Sequence, residues 1–469
     1  MSTIALSDDP LSLQSVTRSF VADAITPISA FLALAQPGRS CLLESVEGTD
    51  RISRYSFIGI DYLEATVFDD DPDMLAHIRA LIGKYDVDTA GLPFPGGAVC
   101  VFTYDAARVL ERIGPKPPSD VAFSDALVVV PGTWVVFDHF THRVTLIGFA
   151  RGAEVAAVTA RLADYERRLL SAPVSVPREV RTSGPVVQSM DRATFLDRVA
   201  RAKAHIFEGD CYQLQVGIRF SAPIEGGSAF DFYRQIRTRN PSPYMFYIEH
   251  GGEAVFGASP EFLVRLDGSK ARLRPLAGTR SRAADPADDA AVEAELLANE
   301  KERAEHVMLV DLGRNDLGAV ATTGSVHVDE LMVIERFSHV MHIVSNVVAE
   351  LRPECDALDL FAATFPAGTV TGAPKIRAMQ IIAELEQTAR GPYGGCMGYF
   401  SFNGNLDCCI TIRTALVKDG TAYVQAGGGW VNDSTPEAEF QETVNKAKAM
   451  LKAVAMAESF LISGVMPPP

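Results

Sequence analysis

Apolar residues recur at helical spacing in four stretches of the chain and alternate with polar ones in many shorter runs. Residues 152–170 read as a helix, and so do 191–208, where Phe195, Val199, Ala202 and Ile206 form one stripe. A third helix is expected over 291–312. A fourth opens at Ser434-Thr435-Pro436-Glu437, which has the S-x-x-E capping spacing with Pro at the first helical position, and runs to about residue 460. Strand-like runs fall at 98–104, 126–137 and 143–149, and again at 244–250, 253–259, 262–268, 397–404, 408–420 and 421–428. NG and DG turns between them favour antiparallel hairpins. Because strands and helices intermingle without a strict βαβ rhythm, the expected class is α+β: mostly antiparallel sheets packed in a sandwich-like core and covered by helices. The segment 171–187, with Pro173, Pro177 and Pro185 among small and polar residues, has the composition of an exposed connector and divides the chain into 1–187 and 188–469.

Composition narrows the functional classes. At 469 residues, 47% hydrophobic and 22% charged, the chain can bury one large core or two ordinary ones and lies far from the composition of disorder. Its 43 Lys and Arg against 59 Asp and Glu leave a net charge of −16. That balance argues against nucleic-acid and membrane partners, and an anionic substrate must meet locally concentrated positive groups or a metal. The amino terminus, MSTIALSDDPLSLQ, has no basic region followed by an apolar one, and no run approaches the ~18 apolar residues of a membrane span, so a cytoplasmic setting is expected. Seven cysteines without C-x-x-C spacing support neither a disulfide framework nor a zinc knuckle.

Two pairs of carboxylates suggest chemistry. Glu302 with Glu305, and Glu439 with Glu442, are each i,i+3 on an expected helix and share a face. If the helices meet, the four repel one another unless a divalent cation lies between them, and oxygen-only ligands favour Mg²⁺ over zinc; the alternative is two solvated faces. Other strings mislead. GGCMG at 394–398 matches a nucleophile elbow, but no His follows His342, so Cys396 lacks a partner in the expected order and reads as a packed strand residue. GTVTGAPK at 368–375 lacks the register of a phosphate loop. Gly427, Gly428 and Gly429 permit close backbone approach to a ligand, or else form an ordinary turn or bulge.

Ten ordered strings then coincide: GDCYQ (209–213), NPSPYMF (240–246), GASPE (257–261), RPLAGTR (274–280), EKERAEHVMLVDLGRND (300–316), ERFSHVMHIVSNV (335–347), TFPAGTVTGAPKIRAM (364–379), RGPYGG (390–395), GYFSFNGN (398–405) and PEAEFQETVNKAKAML (436–451). Together with CLLESVEG and RYSFIG within 41–59, they resemble the chorismate-utilising enzymes, most closely the anthranilate synthase component I branch. The resemblance implies the chorismate-binding enzyme fold, with 1–187 a regulatory and structural domain with its linker, and 188–469 the catalytic domain.

Residue by residue, the resemblance implies that Glu305 and Glu442 bind Mg²⁺ directly, with Glu302 and Glu439 supporting it through water. It implies that Tyr393 and Arg413 grip the enolpyruvyl carboxylate, that His342 and Thr369 line the ring, and that Gly427 to Gly429 and Lys446 surround the substrate carboxylates. Glu261 would protonate the departing ring hydroxyl, a role that needs a raised pKa. Relatives that add water carry a lysine base at the position of Gln213, and those that form a lysine adduct carry a nucleophile at that of Ala277; neither is present. Direct attack of ammonia on chorismate to give anthranilate and pyruvate is therefore expected, with an aminodeoxychorismate or aminodeoxyisochorismate synthase as the alternative. Ammonia would come from a separate glutamine amidotransferase subunit. LLES (42–45) with NPSPYM (240–245) resembles the family's tryptophan feedback pocket, implying contacts from Glu44, Ser45, Pro243, Tyr244 and Met245, with Arg54 a further member. Gly217, Ile218, Trp430 and Cys408-Cys409 depart from the family's usual residues.

Overall fold

In the computed structural model, residues 10–45, 54–89, 91–92, 94–172, 175–337 and 340–451 are described. The long strands Tyr55–Phe68 and Ala126–Asp138 pair antiparallel along nearly their whole length and form the stem from which the sheet forks. One branch passes from Tyr55–Phe68 through Ser40–Glu44, Tyr244–His250, Glu253–Ser259, Thr414–Lys418 and Thr421–Trp430 to Gln213–Glu225. The other passes from Ala126–Asp138 through Gly97–Phe102, Cys396–Ser401, Leu406–Ile410, Phe262–Asp267 and Lys270–Leu273 to Val340–Glu350 and His327–Arg336. All these ladders are antiparallel, as the alternating patterns predict. Strands from before residue 150 and after residue 213 thus share one sheet.

Helices cover the branches. Arg192–Phe207, Lys375–Glu386 and Pro436–Leu451 pack on the first, and Glu300–Gly318 on the second. The helix expected over 291–312 is in fact two, Pro286–Ala298 and Glu300–Gly318. Asn299 ends one in an extended conformation and caps the next, its side chain accepting the Glu302 N–H at 3.1 Å, the local bonding that makes Asn favour caps over helix interiors. At the other expected cap, Ser434 accepts instead from the Val431 N–H at 3.0 Å, and the helix begins at Pro436. The expected continuation from 452 to 460 lies outside the described residues. The connector is less exposed than its composition suggests. Val180 is buried, and Arg181–Thr182 and Val187–Gln188 add to the edge of Gln213–Glu225.

Two changes of layer matter most. The run 408–420, expected as one strand, breaks into Leu406–Ile410 in the second branch and Thr414–Lys418 in the first, with Arg413 between them at φ +49°. The chain makes the same change between Glu253–Ser259 and Phe262–Asp267, across Pro260 and Glu261. Gly427 to Gly429 do not turn. They continue the strand to Trp430, opposite Gly217, Val216 and Gln215.

Trp430 is fully buried, edge-on to Phe195 at 5.1 Å, and joins the end of this strand to the helix Arg192–Phe207. Among the described residues no helix is long and apolar enough to cross a membrane. Replacing Trp430 by Ala should leave a large void under that helix and destabilise the protein by about 3–5 kcal/mol. The expected outcome is a lower urea midpoint with an unchanged far-ultraviolet dichroism spectrum below the transition.

Candidate active site

Glu261 and Arg413 leave the ladders at the two changes of layer, and the backbones there hold each other. The Ile410 N–H donates to the Glu261 carbonyl at 3.0 Å, and the Ala258 N–H donates to the Arg413 carbonyl at 3.1 Å. Ser259, fully buried, adds a second brace, its hydroxyl accepting from the Glu261 N–H at 3.3 Å and donating to the Glu261 carbonyl at 3.2 Å. Burial pushes the Glu261 carboxyl up to about 7, against the pull of the Thr369 hydroxyl and the positive charges of Arg413 and Lys446. Thr369 sits in the turn Gly368–Val370, and its buried hydroxyl lies near the Glu261 carboxyl without reaching full hydrogen-bond geometry there or with another group. A buried donor left this way has capacity for a ligand.

His342 lies on the strand Val340–Glu350, with Nδ1 3.1 Å from the Gly278 carbonyl and 3.0 Å from the Thr279 hydroxyl. Burial pushes its imidazole down to about 4, and the charge of Arg413 adds to this. The ring is therefore neutral at physiological pH. A carbonyl facing Nδ1 places the proton there, which leaves Nε2 the basic nitrogen.

Opposite them stands the strand carrying the three glycines. A Cβ on Gly427 would lie 2.6 Å from the Val216 carbonyl and 3.0 Å from the Tyr393 hydroxyl, so only glycine fits. Tyr393 is buried and donates to Gln215 Oε1 at 3.3 Å. A Cβ on Gly428 would lie 3.0 Å from Glu439 Oε2, and one on Gly429 would lie 2.2 Å from Gln213 Nε2. The glycine backbone thus runs beneath the acidic helix Pro436–Leu451. Lys446 reaches the Gly427 carbonyl at 3.3 Å and Glu442 at 2.7 Å.

The four glutamates come from two helices, Glu300–Gly318 and Pro436–Leu451, near enough for their charges to act on one another. Burial pushes Glu305 up, and the charges of Glu302 and Glu442 add to the rise; burial also pushes Glu439 up, with Glu442 adding to it. Glu302 is tied to Arg280 at 2.9 Å, Glu305 accepts from Gln213 Nε2 at 3.4 Å, and Glu439 Oε2 is buried without a partner. No three of the four bring carboxylate oxygens within 4.8 Å of one another. Oxygen donors that repel across a cleft, one of them unpartnered, fit a hard divalent cation.

A second cavity, of about 120 Å³, opens between the branches nearer the stem. Glu44, Ser45, Pro243, Tyr244 and Met245 line it from the first branch, as expected from the sequence. The facing wall was not anticipated: Arg265, Tyr399, Asp407 and Cys409 line it from the second branch, and Tyr244 donates to Asp407 Oδ1 at 2.9 Å. An aspartate inside the apolar run LDCCI was the available signal. Glu44 is held by Arg237 at 2.8 and 2.9 Å and by Tyr233 at 2.6 Å. Arg54 is a correction. It does not line the cavity, because Asp138 takes its guanidinium at 2.7 and 3.1 Å. Cys396 sits fully buried in the strand Cys396–Ser401, its thiol pushed up by burial, as befits a packed residue.

A forked antiparallel sheet with a buried acid, a neutral histidine and a glutamate-rich rim defines a class of enzyme. Residues 41–452 match the model of the chorismate binding enzymes, and the chain belongs to that family. It is 44% identical to an anthranilate synthase component 1 of Pseudomonas putida over 93% of this chain and 94% of that protein. Identity to the protein of that name from Streptomyces coelicolor is also 44%, over 94% of this chain and 89% of that one. Among solved structures, anthranilate synthase component I from Streptococcus pneumoniae superposes with a TM-score of 0.75 at 36% identity, covering 92% of this chain and 98% of that one. A menaquinone-specific isochorismate synthase from Escherichia coli shares the fold, with a TM-score of 0.76 at 20% identity, covering 96% of this chain and 97% of that one.

The raised Glu261 gives a stability signature. Its proton is held to about pH 7 in the folded state but only to 4.5 in the unfolded chain, so its contribution is full below 4.5 and is lost as pH rises through 7. Relative to Glu261→Gln, the wild type should lose about 2 kcal/mol of stability between about pH 5.5 and 8, read from urea midpoints of the two proteins.

Proposed function

We propose that the protein is the chorismate-aminating subunit of an anthranilate synthase, a lyase that converts chorismate and ammonia into anthranilate, pyruvate and water. The observation that carries this reading is a buried Glu261 that holds its proton up to about pH 7, in a chain whose residue 213 is a glutamine. One supplies a proton to the ring hydroxyl at neutral pH, and the other cannot take a proton from water. The relatives named component 1 support it.

Arg413 and Tyr393 hold the enolpyruvyl carboxylate, the planar guanidinium matching it geometrically. Ammonia attacks ring C2, the C4 hydroxyl departs as water with the proton of Glu261, and the C2 proton is then lost as the ether bond to pyruvate breaks. His342, neutral and with Nε2 basic, is the group whose state suits that last proton. Glu305 and Glu442 would hold Mg²⁺ directly, with Glu302 and Glu439 behind them. Bound there, the ion would neutralise the ring carboxylate inside an acidic protein. The main chain of Gly427 to Gly429 and Lys446 would bind the remaining carboxylate oxygens. Ammonia would be delivered by a glutamine amidotransferase subunit in a hetero-oligomer within the cytoplasm, on the route to tryptophan. Tryptophan is our proposed occupant of the second cavity, acting as feedback inhibitor.

The purified chain, given chorismate, Mg²⁺ and ammonium, should release anthranilate and pyruvate in equal amounts, stop when EDTA is added, and slow when tryptophan is added. An aminated product that retains the enolpyruvyl group would overturn the reading. Glu305→Gln should raise the Mg²⁺ concentration for half-maximal rate by about 10–100-fold.

A further inference from the structure

Behind Tyr393 lies a buried charge that the proposed reaction does not use. Arg390 is 2% exposed, and its Nε and Nη2 meet the two oxygens of Glu386 at 2.9 and 2.8 Å. The same guanidinium donates from Nη2 to the Gln215 carbonyl at 2.5 Å and from Nη1 to the Val370 carbonyl at 2.8 Å. Glu386 in turn accepts the Gly217 N–H at 2.8 Å. The guanidinium carbon stands 5.7 Å from the centre of the Tyr393 ring. Asp105, from the N-terminal half of the chain, accepts the Arg390 main-chain N–H at 3.0 Å and so fixes the loop from the other side.

The partners belong to three walls of the site. Gln215 and Gly217 lie on the strand that carries Gln213; Val370 follows Thr369; and Tyr393 is in the same loop as Arg390. Gln215 links back again, since its side chain accepts from the Tyr393 hydroxyl. We propose that the buried Arg390–Glu386 pair is the positioning device of the site, holding Tyr393, Thr369 and the Gln213 strand in one frame for the substrate. A buried ion pair adds little stability over apolar side chains of the same volume. What it adds is geometry: a rigid planar fork sets the directions of its bonds to separate backbones, which a lysine point charge cannot do. The inference rests on the proposed function only in taking those three elements as substrate contacts.

The test is a double-mutant cycle of Arg390→Lys and Tyr393→Phe in the full chain, read by the calorimetric dissociation constant for chorismate and by kcat and KM for anthranilate formation. Arg390→Lys should weaken chorismate binding about tenfold or more and lower kcat/KM by on the order of a hundredfold, with a full count of binding sites. Adding Tyr393→Phe to it should then cost less than half of what Tyr393→Phe costs alone, because the tyrosine is already out of place. Additive losses, or a lowered Tm with chorismate affinity unchanged, would overturn the inference. If Arg390→Lys does not fold, Glu386→Gln, which keeps the volume and an acceptor for Gly217, is judged by the same cycle. A wild type that binds chorismate but makes no anthranilate defeats the reaction proposed above, and the calorimetric cycle still decides the positioning role.

Discussion

The chain passes from one layer of the forked sheet to the other at Pro260-Glu261 and again at residues 411–413, and the two passages are hydrogen-bonded to each other. A strand residue points to one face of its sheet or the other and is committed by a period of two. A residue between layers is free of that rule. Glu261 and Arg413 can therefore face the same space from opposite directions, while their carbonyls are satisfied by Ile410 and Ala258. Arg413 reaches its place in the left-handed region, at φ +49°, a conformation that persists only where the surroundings over-determine it.

Electrostatics follow from that placement. Glu261 is shut in by the layers on either side, and loss of water outweighs the nearby positive charges in setting its state. Arg413, far from both in sequence but close enough in space for its charge to act on each, depresses His342 while drawing Glu261 only partly down. Burial thus leaves both groups neutral, pushing Glu261 up and His342 down, so that the two pKa values move in opposite directions. The glutamates of the rim belong to two helices on opposite branches, Glu300–Gly318 and Pro436–Leu451, and the charge of Glu442 on one opposes that of Glu305 on the other. A cation between them would turn that opposition into a clamp.

Much of this was legible in the sequence, and what was not has a common cause. Strands such as Glu253–Ser259 and Tyr244–His250 announced themselves by alternation, and the glutamate pairs by i,i+3 spacing, since both signals are local. The break at 411–413 carried no local signal. Cys408 to Lys418, with Arg413 its one charged residue before Lys418, is apolar and β-branched enough to read as one strand, and the pairing of its halves with different partners shows otherwise. The same holds for Asn299, whose cap interrupts an otherwise continuous helical pattern. Long-range partners were the blind spot: the ordered motifs pointed to Glu44 and Tyr244, but Asp407 and Arg265 came into view only with the sheet assembled, and the guanidinium of Arg54, a further member of the expected pocket, goes to Asp138.

The second cavity shares this architecture rather than adding to it. Tyr244 on its wall pairs across the ladder with Ser259, whose hydroxyl braces Glu261, and Cys409 on the facing wall precedes Ile410, whose N–H holds the Glu261 carbonyl. Cavity and site are therefore two openings in one seam between layers, separated by the first passage. An occupant with equal affinity for every spacing of the layers shifts nothing, and one that fits the seam only as it stands holds the site in that state. One that prefers a different spacing of the layers bears on the Ile410–Glu261 and Ala258–Arg413 main-chain bonds, because from Tyr244 to Glu261 the path is one strand pair and one hydroxyl.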